Sequence, residues 1–164
     1  MYSTTWADSS HRGGTRALPP KVVVLHATAG TNSLAWLTTH PDSAVSAHLL
    51  IDKDGDVHRL VEDAGIAYHA GVSTWARFGG AGQPSVNHVS LGIELENLNT
   101  GGDPYPSIQV LAAARAVYRW IQAYGYLPTV SHQSIAPTRK TDPAGFPWTL
   151  YNQYLDEFIM GTRT

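Results

Sequence analysis

A short apolar run near the start of the chain constrains its fold most strongly. Residues 21–26 read Lys-Val-Val-Val-Leu-His, with three β-branched residues in succession and no alternation of apolar and polar positions. Such runs are typical of strands buried on both faces of a sheet, as in α/β proteins. The run therefore predicts an inner strand whose last residue, His26, points out at the edge of the sheet. A lone histidine there is more often structural than a ligand.

Further elements follow at spacings that suit one mixed sheet. Asp54-Gly55 is a favoured turn pair between two strand-like segments, and Gly125 ends the clearest helical pattern. The predicted elements are strands over residues 46–52, 56–61, 89–97 and 127–131 and helices over 31–39, 108–124 and 149–160. We therefore predict the α/β class, with a mixed central β-sheet flanked by helices in a single domain of residues 21–164. Residues 1–20, polar and closed by Pro19-Pro20, are predicted to form an irregular arm.

Composition excludes several classes of protein. The chain has 164 residues, 43% of them hydrophobic, which suits one domain with an ordinary core. It has no cysteine, so only histidine and carboxylate side chains are expected as ligands for a transition metal. A formal net charge of -2 argues against nucleic acid as a partner. No apolar run has the length of a membrane span, and residues 1–20 contain no signal-peptide pattern.

One loop-forming segment carries three residues with chemical potential. Residues 131–148, SHQSIAPTRKTDPAGFPW, hold His132, Lys140 and Asp142 within eleven positions, and their prolines exclude one continuous helix. Strand ends in a mixed sheet often meet at one edge, so His26 can join His132 and Asp142 there. Three such ligands that leave a fourth position open are typical of a catalytic zinc site.

Polar residues on two other predicted strands, and residues in one long connection, each allow two structural interpretations. Glu94 and Glu96 share one face of the strand over 89–97. If this strand lies at the edge of the sheet, that face is solvated. If the strand is central, a carboxylate on that face lies in a cavity and has a raised pKa. His48, on the first hairpin strand, can join a site or only pack and hydrogen-bond behind it. The long connection 62–88 contains His69 and Trp75, and predicts either an aromatic groove wall or, for Trp75, a plug over the core.

Five segments in order carry a resemblance to a known family. VVVLHATAG, SAHLLIDKDGDVHRLV, AYHAG, VSLGIELEN and SHQSIAPTRKTDPAGFPW resemble the type 2 N-acetylmuramoyl-L-alanine amidases, shared by phage endolysins, wall-recycling amidases and peptidoglycan recognition proteins. The resemblance covers roughly residues 20–160. It implies Zn2+ as cofactor, held by His26, His132 and Asp142.

The same resemblance implies roles for further residues. Glu94 matches the acid/base glutamate, and Lys140 matches the lysine that stabilises negative charge on the carbonyl oxygen. His69 matches a histidine that lines the substrate cleft, and Thr28 and Trp75 are further candidates for substrate binding. Some phage relatives place a tyrosine directly before the hairpin histidine. This chain has Ala47 there, so proton transfer is expected to depend on Glu94 alone.

The resemblance implies hydrolysis of the amide between N-acetylmuramic acid and L-alanine. The expected partner is bacterial peptidoglycan, both glycan strand and stem peptide, and the chain is expected to act as a monomer without inserting into a membrane. A phage endolysin is the expected source, made in the host cytoplasm and released to the wall through a membrane pore. The alternatives are an amidase that recycles soluble anhydro-muropeptides in the cytosol, and a peptidoglycan-binding module without catalysis.

Overall fold

The computed structural model describes residues 4–163 and contains one main sheet. The strands in chain order are β1 (Thr4–Trp6), β2 (Arg12–Thr15), β3 (Val22–Ala27), β4 (Leu49–Ile51), β5 (Val57–Arg59), β6 (Gly65–Ala67), β7 (Ser90–Leu95) and β8 (Thr129–Ser131). Six of them form a sheet in the order β1-β5-β4-β7-β3-β8. Only the β4–β5 hairpin is antiparallel, and the other neighbours in this sheet run parallel. The predicted mixed central sheet is confirmed.

The predicted inner strand occupies an inner position. All six residues of β3 are buried, and β3 pairs with β7 along its full length and with β8 on its other side. Because side chains alternate along a strand, β3 and β7 each present one set of residues to either face. Val24 and His26 lie on one face of β3, and Val23 and Leu25 lie on the other.

Two helices cover the Val23 face of the sheet. They are α2 (Ser107–Tyr124), which ends where Gly125 adopts a positive φ of 81°, and α4 (Trp148–Ile159). Leu91, Ile93 and Leu95 of β7 belong to the core on this face. The predicted alternation of β7, with apolar residues on one side and Glu94 on the other, is confirmed.

Shorter elements cover the opposite face. They are α1 (Leu34–Thr38), α3 (His132–Ile135), a 3-10 helix (Val86–His88) and the small antiparallel sheet of β2 and β6. Two apolar clusters form here, one around Val24 and Val86 and the other around Leu50 and Leu60. Because these elements are short, this face leaves room for a cavity at the ends of the parallel strands.

The prediction of an irregular arm over residues 1–20 is wrong for the part that the structure describes, residues 4–20. β1 pairs in parallel with β5 and completes the sheet edge, and β2 pairs with β6. Ser9 is fully buried and donates a hydrogen bond to the Leu37 carbonyl. A sheet edge offers unpaired backbone groups, so a short segment with little pattern of its own can pair there. Residues 1–3 of the predicted arm lie outside the described residues, and the division of the chain at residue 20 stays a prediction.

Across residues 4–163, no helix combines the length and the apolar character that crossing a membrane requires.

Candidate metal and catalytic site

Three side chains from separate parts of the chain meet at the ends of β3 and β8. His26 Nδ1 lies 2.9 Å from His132 Nδ1 and 3.3 Å from Asp142 Oδ2, and His132 Nδ1 lies 3.1 Å from the same carboxylate oxygen. All three residues are buried. Within residues 4–163, these three side chains form the one group of histidines and carboxylates whose ligand atoms lie close enough together to hold a metal ion.

Local structure explains why His132 and Asp142 come together. Ser131 caps α3 by accepting a hydrogen bond from the Ser134 backbone N–H, so the helix begins at His132 directly after β8. The Gln133 N–H then donates to the Asp142 carbonyl oxygen at 2.9 Å. This hydrogen bond brings the returning loop against the first turn of α3. The sequence predicted a loop here, and the short helix α3 was missed.

The three ligand atoms suit a zinc ion. In a tetrahedral site with zinc–nitrogen distances of about 2.0–2.1 Å, neighbouring ligand atoms are about 3.3 Å apart. The observed separations of 2.9 to 3.3 Å are close to this value. His132 Nε2 lies 3.1 Å from the Ala70 carbonyl oxygen, which can only accept, so Nε2 carries the hydrogen and Nδ1 is bare. A bare nitrogen that faces a carboxylate and a second ring nitrogen fits a cation between them.

The surroundings keep these groups in the states that bind metal. Burial lowers the pKa of His26 to about 4, although the nearby Asp142 carboxylate opposes the shift. Burial alone would raise the pKa of Asp142, but its close polar contacts with the His132 and His26 rings outweigh burial and hold that pKa well below its usual range. At neutral pH His26 is therefore neutral and Asp142 ionised, as metal coordination requires.

Glu94 lies beside His26 on the neighbouring strand. The two residues are paired in the parallel register of β3 and β7, on the face away from α2. Its Oε2 is buried and has no hydrogen-bond partner within residues 4–163. The pKa of Glu94 is raised to about 8, mainly by burial and also by the charge of Asp142, while the charge of Lys140 opposes the shift. β7 is central, so the solvated edge-strand alternative is wrong and the cavity alternative is confirmed.

A cavity of about 390 Å³ opens over these residues. Its lining combines the three candidate ligands, cationic side chains on one side and apolar side chains from α1 and the following loop. The lining residues are His26, Ala27, Thr28, Ala29, Ser33, Trp36, Leu37, Val45, His69, Glu94, Asn99, His132, Arg139, Lys140, Thr141 and Asp142.

The structure brings most of the predicted site residues to this cavity. Lys140 and Thr28 line it, and Thr28 also donates a hydrogen bond to the Gly30 carbonyl. His69 lines it from behind His26, with its Nδ1 2.9 Å from His26 Nε2. Their roles stay predictions.

Two predicted residues lie elsewhere. Trp75 is not among the lining residues: it stacks on Phe78 and packs against the cluster that contains Val24 and Val86, which favours the plug alternative. His48 is fully buried, and its ring nitrogens face the Gly92 N–H at 3.0 Å and the Arg16 guanidinium at 2.8 Å. These contacts agree with packing behind the site.

Trp36, Arg139 and Asn99 are among the lining residues that were not predicted as site residues. Trp36, 45% exposed, reaches the cavity from α1. Arg139 donates to the carbonyl oxygens of Ala70 and Val72. Arg139 lies beside Lys140 in the segment T-R-K-T-D, and this position could have indicated that it lines the site. Asn99 accepts a hydrogen bond from the Ala144 N–H, and no local pattern indicates this long-range contact.

The chain is similar in sequence to proteins of one family. The sequence profile of the family described as N-acetylmuramoyl-L-alanine amidase matches residues 16–145. N-acetylmuramoyl-L-alanine amidase AmiD of Escherichia coli K12 is 35% identical over 147 residues, which cover 78% of this chain and 50% of AmiD. The 1,6-anhydro-N-acetylmuramyl-L-alanine amidase AmpD of Enterobacter cloacae is 36% identical over 115 residues, covering 68% of this chain and 58% of AmpD.

Solved structures share the fold. A crystal structure of a selenomethionine AmpD derivative superposes with a TM-score of 0.80 at 28% identity, covering 94% of this chain and 96% of that chain. Escherichia coli AmiD in complex with its substrate anhydro-N-acetylmuramic acid-L-Ala-D-gamma-Glu-L-Lys gives a TM-score of 0.69 at 34% identity, covering 87% and 60%. The chain spans about half the length of the curated relatives it matches.

Proposed function

The chain belongs to the N-acetylmuramoyl-L-alanine amidase family, and from this premise we propose that it hydrolyses the amide between N-acetylmuramic acid and L-alanine, with zinc as cofactor. One observation carries the proposal: a buried His-His-Asp cluster, a carboxylic acid with a raised pKa and a lysine line the same cavity. Metal-assisted amide hydrolysis uses these three kinds of group, because an amide is a poor electrophile and its nitrogen is a poor leaving group.

His26, His132 and Asp142 would hold the zinc ion. When bound, zinc supplies a Lewis acid that polarises the amide carbonyl and makes water a stronger nucleophile. Asp142 contributes an anionic oxygen, and the two neutral imidazoles add no charge. This ligand set leaves the ion a net positive charge, which suits a Lewis acid.

Glu94 would move the proton. Its side chain is half-buried and lines the cavity with Oε2 buried, and a pKa near 8 lets it take a proton from water and pass it to the departing nitrogen of L-alanine. Lys140, whose charge acts on both Glu94 and His26, would stabilise the negative charge that grows on the carbonyl oxygen.

Two variants test the proposal together. We expect the wild-type protein to contain one zinc ion and to release free L-alanine amino termini from muramyl peptides. His26→Ala should lose stoichiometric zinc by metal analysis, and Glu94→Ala should keep zinc but lose most turnover. Near-normal hydrolysis by Glu94→Ala would refute the assignment of the acid/base group. Zinc-loaded wild type that binds peptidoglycan without releasing amino termini would instead indicate a binding module.

The form of the substrate is a separate part of the proposal. The name of AmpD and the ligand bound to AmiD both specify anhydro-muramyl compounds, which supports soluble anhydro-muropeptides as substrates of this chain. Hydrolysis of intact walls by a phage lysin, which the family resemblance implies, stays a prediction. Turnover on purified sacculi compared with turnover on anhydro-muropeptides at equal enzyme concentration separates the two.

A further inference from the structure

A chain of hydrogen bonds leads from His26 away from the candidate metal centre. His26 Nε2 lies 2.9 Å from His69 Nδ1, and His69 Nε2 lies 3.0 Å from Ser90 Oγ. Ser90 Oγ in turn lies 2.7 Å from the Val86 carbonyl oxygen. His26, His69 and Ser90 are all buried, with exposed fractions of 1%, 7% and 0%. Bulk water therefore does not compete for these contacts.

The carbonyl oxygen at the far end fixes the direction of every bond in the chain. A carbonyl oxygen only accepts, so the Ser90 hydroxyl hydrogen points to Val86. If it pointed to His69 instead, two oxygen atoms would face each other at 2.7 Å without a hydrogen between them. Ser90 Oγ therefore accepts from His69 Nε2–H.

The same direction then determines the tautomer of His26. A neutral imidazole with its hydrogen on Nε2 has a bare Nδ1, so His69 Nδ1 accepts and His26 Nε2 donates. This leaves His26 Nδ1 bare, and Nδ1 is the atom that faces His132 and Asp142. If all these hydrogen bonds ran in the opposite direction, His26 Nδ1 would carry the hydrogen and donate it to Asp142. That hydrogen would block the binding of a metal ion at Nδ1.

The neighbouring strand is shaped to hold the His69 ring. A Cβ atom added to Gly92 of β7 would lie 2.6 Å from His69 Cγ, closer than side-chain atoms pack. Glycine at this position therefore lets the imidazole lie flat against β7, between His26 and Ser90. The sequence segment AYHAG suggested a residue that lines the cleft, whereas these contacts connect His69 to a candidate ligand.

We infer that His69, Ser90 and the Val86 carbonyl act as a positioning chain that fixes His26 in the tautomer whose Nδ1 binds the metal ion. The inference rests on the proposed function, because it assigns His69 and Ser90 to the same zinc site. His69 and Ser90 are positioning residues in this scheme, and they act on the metal through His26. Outer partners of metal-bound histidines typically change metal affinity 10- to 100-fold.

Ser90→Ala in the full chain tests the inference, with Ser9→Ala as matched control. Ser9 is also fully buried and also donates its hydroxyl hydrogen to a carbonyl oxygen, that of Leu37, but it does not contact the metal cluster. Zinc affinity is measured by competition with a chromogenic chelator. We expect Ser90→Ala to weaken zinc binding about tenfold or more. Ser9→Ala should stay within about twofold of wild type.

Two further measurements separate positioning from general damage to the fold. The zinc-activation curve of Ser90→Ala should shift to higher zinc concentration and still reach close to the wild-type plateau. His69→Asn keeps an acceptor near the position of Nδ1, so it should bind zinc more tightly than His69→Leu. Equal zinc affinities for Ser90→Ala and Ser9→Ala would overturn the inference while leaving the proposed function intact. Wild type without stoichiometric zinc would overturn the proposed function itself.

Discussion

Acidification should destabilise the protein through a histidine outside the cavity. His48 is fully buried beside β4, and burial followed by the charge of Arg16 lowers its pKa to about 3. The Gly92 N–H donates to Nδ1, so the ring hydrogen of neutral His48 lies on Nε2, which is near the Gly65 carbonyl oxygen and Arg16. A second proton on Nδ1 would face the Gly92 N–H and would have no acceptor there. The folded protein therefore keeps His48 neutral under conditions in which the unfolded chain protonates it.

The sign and size of the effect follow from the two pKa values. An unfolded histidine has a pKa near 6.5, so the unfolded state binds more protons than the folded state between about pH 6.5 and pH 3. The His48 contribution to stability is complete above this window and is lost as the pH falls through it. Between pH 7 and pH 5, His48 alone should lower the free energy of unfolding by about 2 kcal/mol.

Urea unfolding of metal-free protein at pH 7 and pH 5 measures this difference, and His48→Gln removes its source. The loss on acidification should be about 2 kcal/mol smaller in His48→Gln than in wild type, because other titrating groups such as His26 contribute to both proteins. Leu50→Ala is the matched control: it removes buried atoms from β4 without changing a titratable group, and it should keep the wild-type pH dependence. Equal pH dependence in wild type and His48→Gln would refute the reasoning.

Four further predictions concern the candidate site. Glu94→Gln should keep zinc and lose about 100- to 10,000-fold in kcat, measured on muramyl peptides, because it removes the proton carrier. Lys140→Met should lose about 100- to 1,000-fold in kcat with unchanged zinc content, since it removes charge stabilisation at the carbonyl oxygen. Zinc at about 100 times its Kd should stabilise the protein by about 2.7 kcal/mol and raise Tm by about 5–11 °C over chelator-treated protein, and His26→Ala should abolish this shift in a thermal melt. Trp36→Ala should raise KM with little change in Tm, because this side chain lines the cavity and is 45% exposed.

Several features of the protein follow from the sequence alone. The β-branched run before His26 determined an inner strand, and the alternation in residues 89–97 determined which face Glu94 occupies. The absence of cysteine restricted the metal ligands to histidine and carboxylate. These are properties of neighbouring residues, because backbone preference and side-chain alternation act over a few positions along the chain.

The remaining features depend on contacts between distant segments. Local sequence left Glu94 on either an edge or a central strand, and the pairing of β7 between β4 and β3 decided that it is central. β1 became a strand because β5 offered it a free edge, although three residues carry little pattern of their own. Strand order and edge pairing depend on the packing of the whole domain, and no short window of sequence contains that information.

The candidate site shows the same division. The sequence named His26, His132 and Asp142 as residue types that can bind a metal, and the fold brought atoms of residues more than a hundred positions apart to within 2.9 Å. The fold also places His69 within hydrogen-bond distance of His26, and it places Trp75 against Phe78 and not in the cavity lining. The sequence specifies which kinds of chemical group are present. Their distances and hydrogen-bond directions arise only when the strands and loops pack, because those depend on long-range contacts.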